Sequence, residues 1–398
     1  MNRPVLTLFI TAALIIGFTA MGMILMDAVD PGIVAKIIPS SRSSERNDEA
    51  VKLLDEGKAA EAVEIFREIR QAEPYDSVVA HNLSIGLARM AQDERNVLPE
   101  KEKTALLKEA LDAWPENPEA LNVMSAIHYR NGRYREAWDL AVRLAAFYPD
   151  QPNLNEYISH LETFLQEGEG MISEDGQFFR ILYSGERQLE FEGELLTLLQ
   201  TEMDSLTATM GYFPEGSIDV LIMTEDMGEK AIPADPLLQG LYDGKIRLYL
   251  KDNSPEDEVF MRTVRHEMVH AILHRAAGDL PSWFQEGVAQ KIGDMPSAEE
   301  TVAMKAFLKW RMDTGKRVVI TGLQGSFIDL SDDERSAAYA ASYTFLDYLV
   351  QMFGENLIPI LVSELDGGQP LEQAIQSVTG KDLPALEGDF MRDLKRGG

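Results

Sequence analysis

The sequence contains no cysteine, and this absence excludes several kinds of site. Without thiols the chain has no disulfides, no thiolate metal ligands, no cysteine nucleophile and no acylated lipoprotein cysteine. Histidine is also scarce, with 6 residues among 398. Any metal ion bound by this chain must therefore be held by histidine and carboxylate side chains.

Positive charge is in deficit as well, because 66 acidic residues outnumber 37 basic ones and give a formal net charge of -29. Such a charge repels phosphate backbones and anionic lipid surfaces, and we therefore expect no nucleic acid among the partners. The shares of hydrophobic residues, 45%, and charged residues, 26%, are typical of a folded protein. The length is enough for two or three domains.

One long stretch, from Val5 to Met26, contains no charged residue. At about 1.5 Å per residue a helix of this length spans roughly the 30 Å of bilayer hydrocarbon. We therefore predict a signal anchor or transmembrane helix within residues 1–30. A cleavable signal peptide is the alternative, since Ala20 and Gly22 are small, although the stretch exceeds the usual apolar core of about 7 to 15 residues.

The charges on either side of this stretch predict its orientation. Arg3 precedes it, whereas Asp27 and Asp30 follow it. By the positive-inside rule, the N-terminus is expected in the cytoplasm. The bulk of the chain is then expected outside the cytoplasm, in a bacterial periplasm or at a cell surface.

Residues 31–47 are rich in Pro, Ser and Gly and predict a linker, which is followed by an internal repeat. The repeated positions are Gly57, Ala62, Phe66 and Pro74, and then Gly132, Tyr134, Ala137 and Pro149. This pattern resembles the tetratricopeptide repeat (TPR) over residues 48–167, in which small residues let antiparallel helices pack closely and proline ends a helix. The resemblance implies recruitment of a substrate or protein partner; a rigid spacer without a partner is the alternative.

Residues 175–395 show a mixed pattern of strands and helices. Short runs rich in β-branched and aromatic residues predict strands at Phe178–Tyr183, Ile218–Met223 and Lys245–Leu250. Helices are predicted at Gly193–Met210, Pro255–Ala277, Pro281–Ile292, Ala298–Met312, Ser336–Phe353, Asn356–Leu365, Leu371–Gln376 and Leu383–Lys395. The predicted fold class is therefore α+β, with a transmembrane helix, a TPR-like helical domain and then a mixed α/β domain.

The segment His266-Glu267-Met268-Val269-His270 carries the strongest chemical signal. Residues four apart lie on one face of a helix, so the two imidazoles can bind one metal ion while Glu267 points toward a bound water. A catalytic zinc usually has three protein ligands and one open position. Glu286, a carboxylate in the apolar run from Trp283 to Ala289, is the candidate for the third ligand, because burial of a carboxylate requires a cation or hydrogen bonds.

These two segments, HEMVH and WFQEGVAQ, resemble the gluzincin branch of zinc metallopeptidases, which includes thermolysin, over about residues 175–395. The resemblance implies Zn²⁺ bound by His266, His270 and Glu286, with Glu267 as the general base that takes a proton from a zinc-activated water. It also implies a peptide or protein substrate, and an edge strand ending at Leu250 along which an extended peptide lies.

Two tyrosines on one helical face, Tyr339 and Tyr343, are candidates for a catalytic donor to the oxyanion. Either one can equally be a packing residue. His274 continues the series of histidines four apart, but the drift of a helix turns it away from His266, so we predict a structural or supporting role.

The predicted function is that of a membrane-anchored zinc metallopeptidase whose repeats recruit substrate or partner. The alternative is an inactive TPR-containing adaptor of an envelope complex, which the presence of all three ligands and Glu267 disfavours. A structural zinc site is a third possibility, but such sites are typically closed by four Cys or His ligands.

Overall fold

A computed structural model of the protein describes residues 41–93, 98–167, 171–183, 192–223, 240–249, 257–327 and 330–396. The predicted transmembrane helix within residues 1–30 and most of the predicted linker lie outside the described residues, as does the end of the predicted third strand at Leu250. Contacts divide the chain into two compact units, of which the first contains residues 41–93 and 105–120 and the second residues 98–104 and 121–396. The domain boundaries predicted from the sequence stay predictions.

The first unit is helical. It contains α1 (Ser41–Asp55), α2 (Ala59–Ala72), α3 (Ser77–Ala91) and most of α4 (Glu100–Ala113). Ala62 and Phe66 on α2 are fully buried, and so is Leu87 on α3. Gly86 lets these two helices pack closely, since a Cβ there would lie 3.0 Å from a methyl group of Val63. The close packing of α2 and α3 is compatible with the predicted repeat, and assignment to the TPR family stays a prediction.

The second unit begins with three helices and continues into a sheet. The helices are α5 (Pro118–Arg130), which starts in the first unit, α6 (Tyr134–Phe147) and α7 (Leu154–Gln166). Buried Ala137, Leu140 and Leu144 form one face of α6, so that α6 has the apolar stripe expected of a packed helix.

The sheet has five strands in the order β1-β2-β3-β5-β4. The strands are β1 (Ile172–Asp175), β2 (Phe179–Tyr183), β3 (Ile218–Met223), β4 (Gly240–Tyr242) and β5 (Ile246–Tyr249). The central strands β2, β3 and β5 are parallel, and β1 and β4 run antiparallel at the two edges. Helix α8 (Glu192–Met210) joins β2 to β3 and confirms the helix predicted there.

The prediction that the strand at residues 245–250 forms an edge is wrong. This strand, β5, lies between β3 and β4, with Ile246 opposite both Val220 and Tyr242. The edge is β4, a three-residue strand that reaches β5 through a turn at Asp243 and Gly244, where Gly244 has a φ of 110°. Such a turn folds β4 back along β5 and covers the side of β5 that was expected to be free.

The rest of the second unit is helical. The helices are α9 (Glu258–Ala277), α10 (Ser282–Val288), α11 (Ala298–Asp313), α12 (Asp332–Phe353), α13 (Leu357–Asp366), α14 (Leu371–Thr379) and α15 (Leu383–Arg396), with a π-helix at Ala289–Asp294 and a 3₁₀ turn at Ile320–Gly322. The fold is therefore α+β. The predicted helix at 281–292 differs, because it changes from α to π after Val288.

Helix α9 lies at the centre of the second unit. Its residues Met268, Val269 and Ile272 are fully buried. They belong to one apolar core with Val220 and Leu248 of the sheet. Among the described residues no single helix is long and apolar enough to cross a membrane; α12 and α13 meet the length and composition test only as a pair bent by 103°.

Candidate metal centre

Two histidines of α9 point to the same place. His266 and His270 lie one turn apart, with their ring centroids 4.8 Å from each other. Asp257 directly precedes the helix, and its carboxylate accepts a hydrogen bond from the Val259 amide and so caps the first turn. Both imidazoles are largely buried. A well-formed buried helix thus fixes the spacing of the two rings.

Glu286 on α10 completes a group of three candidate ligands. Its Oε2 atom lies 3.3 Å from Nε2 of His266 and 3.7 Å from Nε2 of His270. One possible ligand atom from each of the three residues lies within 4.8 Å of the other two. Among the described residues, this group meets the spacing needed for three side chains to hold one metal ion. The structure therefore brings together the three side chains that the sequence predicts as metal ligands.

The position of Glu286 depends on a close contact between α10 and α12. A Cβ on Gly287 would lie 2.8 Å from the carbonyl oxygen of Ser342 and 3.3 Å from Leu346. Trp283 and Phe284, on the same short helix, are fully buried. Apolar burial and the absence of a side chain at residue 287 together hold the Glu286 carboxylate against α9.

Asp294, at the end of the π-helix, orients the first histidine. Its Oδ1 lies 3.0 Å from Nδ1 of His266. The π-helix reaches this position because Gly293 has no side chain: a Cβ there would lie 2.9 Å from the backbone of His266. The Arg265 guanidinium also donates to the carbonyl oxygen of Gly293. Carboxylates that hold a metal-binding imidazole in this way are common partners of metal sites.

The charges of the group depend on one another. Burial raises the pKa of Glu286, but His270 and His266 act in the opposite direction and hold it well below its ordinary value. Burial lowers the pKa of His266, but Asp294 and Glu286 outweigh burial and hold it well above its ordinary value. For Glu267 burial is the largest effect and its pKa is raised. His266 and Glu286 therefore stabilise each other's charged forms.

The donor set fits a zinc ion. The Oε2 atom of Glu286 is buried and makes no hydrogen bond, and its neighbours are the imidazole nitrogens of His266 and His270 at 3.3 and 3.7 Å. A buried carboxylate oxygen needs a cation beside it, and either a protonated imidazole or a metal ion can supply that cation. Ligands at about 2.0–2.1 Å around a tetrahedral zinc lie roughly 3.3 Å apart, close to the 3.3 and 3.7 Å between Glu286 and the two imidazoles. Two imidazoles and one carboxylate are also the ligands found in one type of catalytic zinc site.

Glu267, which neighbours His266 on α9, lies close to edge strand β4. A Cβ on Gly240 would lie 2.9 Å from Cγ of Glu267, 3.4 Å from its Oε1 and 2.6 Å from a methyl carbon of Thr263. The side chain of Glu267 is buried. The backbone of β4 therefore lies directly against the predicted general base.

The two tyrosines predicted as oxyanion donors lie on α12. Tyr343 is buried, and its hydroxyl is 2.9 Å from the hydroxyl of Thr301 on α11. Tyr339 is half-buried and packs edge-on against Phe327. Their catalytic role stays a prediction.

His274 lies outside the ligand group. Its Nδ1 atom is 2.7 Å from the hydroxyl of Tyr242, the last residue of β4. Burial lowers the pKa of His274 to about 4; Asp279 opposes this effect, whereas Arg275 acts in the same direction. The hydrogen bond between His274 and Tyr242 joins β4 to α9.

Sequence reasoning missed Asp294, the three close-contact glycines and Tyr242. Asp294 follows Glu286 by eight residues, and a carboxylate is a common partner of a metal-binding histidine. The direction in which it points, however, depends on the π-helix, for which the residues Ala289 to Asp294 give no compositional sign.

Residues 257–396 match the family model of the Peptidase MA superfamily. The matched segment contains the three candidate ligands, Glu267 and Asp294. The match supports a peptidase-like domain of the MA type in this part of the chain, and the gluzincin resemblance is thus confirmed at the level of the superfamily. No curated protein sequence matches the chain.

Proposed function

We propose that the protein is a membrane-anchored zinc metallopeptidase that hydrolyses peptide bonds in peptide or protein substrates. The observation that carries the proposal is the convergence of His266, His270 and Glu286, with Glu267 beside them, in the segment that matches the Peptidase MA superfamily. The unbonded, buried oxygen of Glu286 supports a metal ion at this place. The ligand set of nitrogen and oxygen donors favours zinc.

Glu267 is the general base in this proposal. A zinc ion bound here would act as a Lewis acid, making a bound water acidic and stabilising negative charge on the substrate carbonyl oxygen. His266, His270 and Glu286 would hold the ion, and Asp294 would orient the ring of His266. Glu267 takes a proton at its carboxylate and later passes it to the leaving amine. Tyr343 and Tyr339 are proposed as further donors to the oxyanion.

Strand β4 is the proposed binding site for an extended peptide. One edge of β4 pairs with β5, and no other strand of the described residues pairs with its second edge. An exposed strand edge offers free backbone N–H and C=O groups, with which a peptide can pair as an added strand. Because Gly240 lies against Glu267, such a peptide would pass close to the base.

The cellular arrangement is also part of the proposal. The apolar stretch Val5–Met26 anchors the chain in a bacterial membrane with its N-terminus in the cytoplasm, and the metal centre faces the periplasm or the cell surface. The helices of residues 48–167 are proposed to recruit a substrate or partner as a TPR-like surface.

The experiment that tests the proposed reaction is Glu267→Gln, which removes the proton acceptor and preserves the side-chain size. We expect zinc to be retained and cleavage of a fluorogenic peptide library to fall by about 100- to 10,000-fold, the range typical of a lost general base. Glu299→Gln, an exposed position on α11, is the matched control and should cleave like the wild type.

Two results would count against the proposal. Unchanged cleavage by Glu267→Gln contradicts the role of this residue. A zinc-loaded wild type that cleaves no member of the library favours the inactive TPR-containing adaptor instead.

A further inference from the structure

The turn between β4 and β5 is held by side chains of three preceding helices. Residues 243–245 form this turn, and the helices are α5, α6 and α7, all contributing here from residues of the second compact unit. We call these three helices the helical clamp. These helices contain none of the candidate metal ligands. Their hydrogen bonds with the turn are nevertheless buried or partly buried.

Two tyrosine hydroxyls bind the backbone of the turn. Tyr134, at the start of α6, donates to the carbonyl oxygen of Gly244 at 2.6 Å. Tyr129, near the end of α5, donates to the carbonyl oxygen of Asp243 at 3.3 Å and lies 3.0 Å from Nε2 of His160 on α7. Gly244 fits only without a side chain, since its φ is 110° and a Cβ would lie 3.0 Å from Phe164.

A buried lysine adds a third connection. Lys245 is 1% exposed, and its ammonium group donates to the carbonyl oxygen of Phe164 at 2.7 Å. The same group lies 3.4 Å from Glu167 and over the ring of Phe164. Arg247, two residues along β5, donates to Glu167 as well. A buried cation is unfavourable without such partners. The position of Lys245 therefore depends on Phe164 and Glu167 at the end of α7.

The position of this turn also determines where β4 lies. Only Leu241 and Tyr242 separate it from Gly240, whose backbone is in contact with Glu267. Tyr242 also binds His274 on α9. Strand β4 is therefore fixed at its turn end by the helical clamp and along its length by α9, and a three-residue strand has few other contacts to keep it in place.

We propose that the helical clamp positions β4 against Glu267, and that Tyr134 and Tyr129 are positioning residues for peptide cleavage. This inference rests on the proposed function for its effect on catalysis. A peptide that pairs with β4 stays paired when the strand shifts, but its scissile bond moves relative to Glu267. Loss of a clamp contact should therefore lower kcat and leave KM nearly unchanged.

The test is Tyr134→Phe in the full-length, zinc-loaded protein, which removes one hydroxyl and leaves the ring. Tyr157→Phe is the matched control, because the Tyr157 hydroxyl binds Ser125 within the same helices and does not contact the turn. We expect kcat of Tyr134→Phe to fall about three- to tenfold, as for one lost hydrogen bond, with KM within twofold and zinc content unchanged. The control should match the wild type.

Hydrogen exchange of residues 240–249 provides a second measurement that needs no activity. Exchange in this segment should be faster in Tyr134→Phe than in the wild type or in Tyr157→Phe. Equal exchange and equal kcat in all three proteins overturns the proposal. If the zinc-loaded wild type cleaves no peptide, the proposed function fails, and the exchange comparison alone then supports or overturns the clamp.

Discussion

His266 shows how a single residue carries two tasks at the metal centre. Its Nδ1 atom lies beside Asp294, and its Nε2 atom faces Glu286. When Asp294 accepts a hydrogen bond from Nδ1–H, the lone pair of Nε2 is directed at the ligand group. The carboxylate thereby fixes the tautomer that binds metal and prevents rotation of the ring. The tightness of metal binding should therefore depend on Asp294 as well as on the ligands.

Replacement of Asp294 by alanine leaves Nδ1 of His266 without its carboxylate. We predict that zinc affinity falls about 10- to 100-fold, the usual result of losing such a partner. Competition with a chromophoric chelator measures this change. Asp139→Ala, an exposed position on α6, is the control. Affinity of Asp294→Ala within twofold of the wild type would contradict the assigned role.

The helices and the strand around the candidate metal centre pack closely at three glycines. Gly293 lets the π-helix contact α9, Gly287 lets α10 contact α12, and Gly240 lets β4 contact α9. None of these three glycines has a positive φ, so the requirement is for space and not for backbone freedom. The distances between ligand, base and strand therefore depend on steric contacts between elements.

Gly240→Ala tests whether steric contact at edge strand β4 sets the position of Glu267. The added methyl group would meet Thr263 and Glu267 and must displace either the strand or the base. We predict a loss of about 10- to 100-fold in kcat with zinc content preserved, because small misplacements at a reacting centre reduce rates strongly.

Gly325→Ala is the matched control for this variant, since a Cβ at residue 325 meets nothing within 4 Å. Wild-type kcat in Gly240→Ala would show that β4 does not set the position of Glu267.

The sequence predicts most elements but not all of them, and the reasons are physical. Long helices rich in apolar residues, such as α8 and α9, lie within a few residues of their predicted bounds. Strands β1 and β4 were missed because β1 is largely exposed and β4 has three residues, too few to show alternation. The position of β5 inside the sheet follows from the turn at Gly244, which sequence patterns alone did not reveal.

At the scale of the whole molecule, one apolar core of the second unit supports the centre. It extends from Phe179 on β2 through Met268 on α9 to Leu394 on α15. The grouping of His266, His270 and Glu286 was predictable because local spacing and an unusual buried carboxylate point to these residues. Asp294 and Tyr242 were not, because their partners depend on how distant segments pack in this core.

Burial in this core also makes stability depend on pH through His274. Its pKa is lowered to about 4 from the ordinary 6.5 by burial, with Asp279 opposing and Arg275 and Arg130 assisting. The unfolded chain therefore binds a proton at higher pH than the folded one. The resulting stability is present above pH 6.5 and is lost as pH falls toward 4.

We predict that the difference in unfolding free energy between wild type and His274→Gln shrinks by about 2 kcal/mol from pH 7.5 to pH 5. Urea denaturation of the metal-free proteins at both pH values measures this difference, and the other titrating groups are common to both proteins. A difference that does not change with pH would rule out a neutral, buried His274.

The measurement that tests the central claim most directly is the zinc content of the protein from Ser41 onward, purified without chelator. The proteins compared are the wild type, His266→Ala, Glu286→Ala and, as a matched histidine control outside the ligand group, His274→Gln. We predict near one zinc per chain in the wild type and in His274→Gln, and loss of zinc in the other two. No zinc in the wild type, or zinc retained in Glu286→Ala, would contradict the three-ligand site on which the account rests.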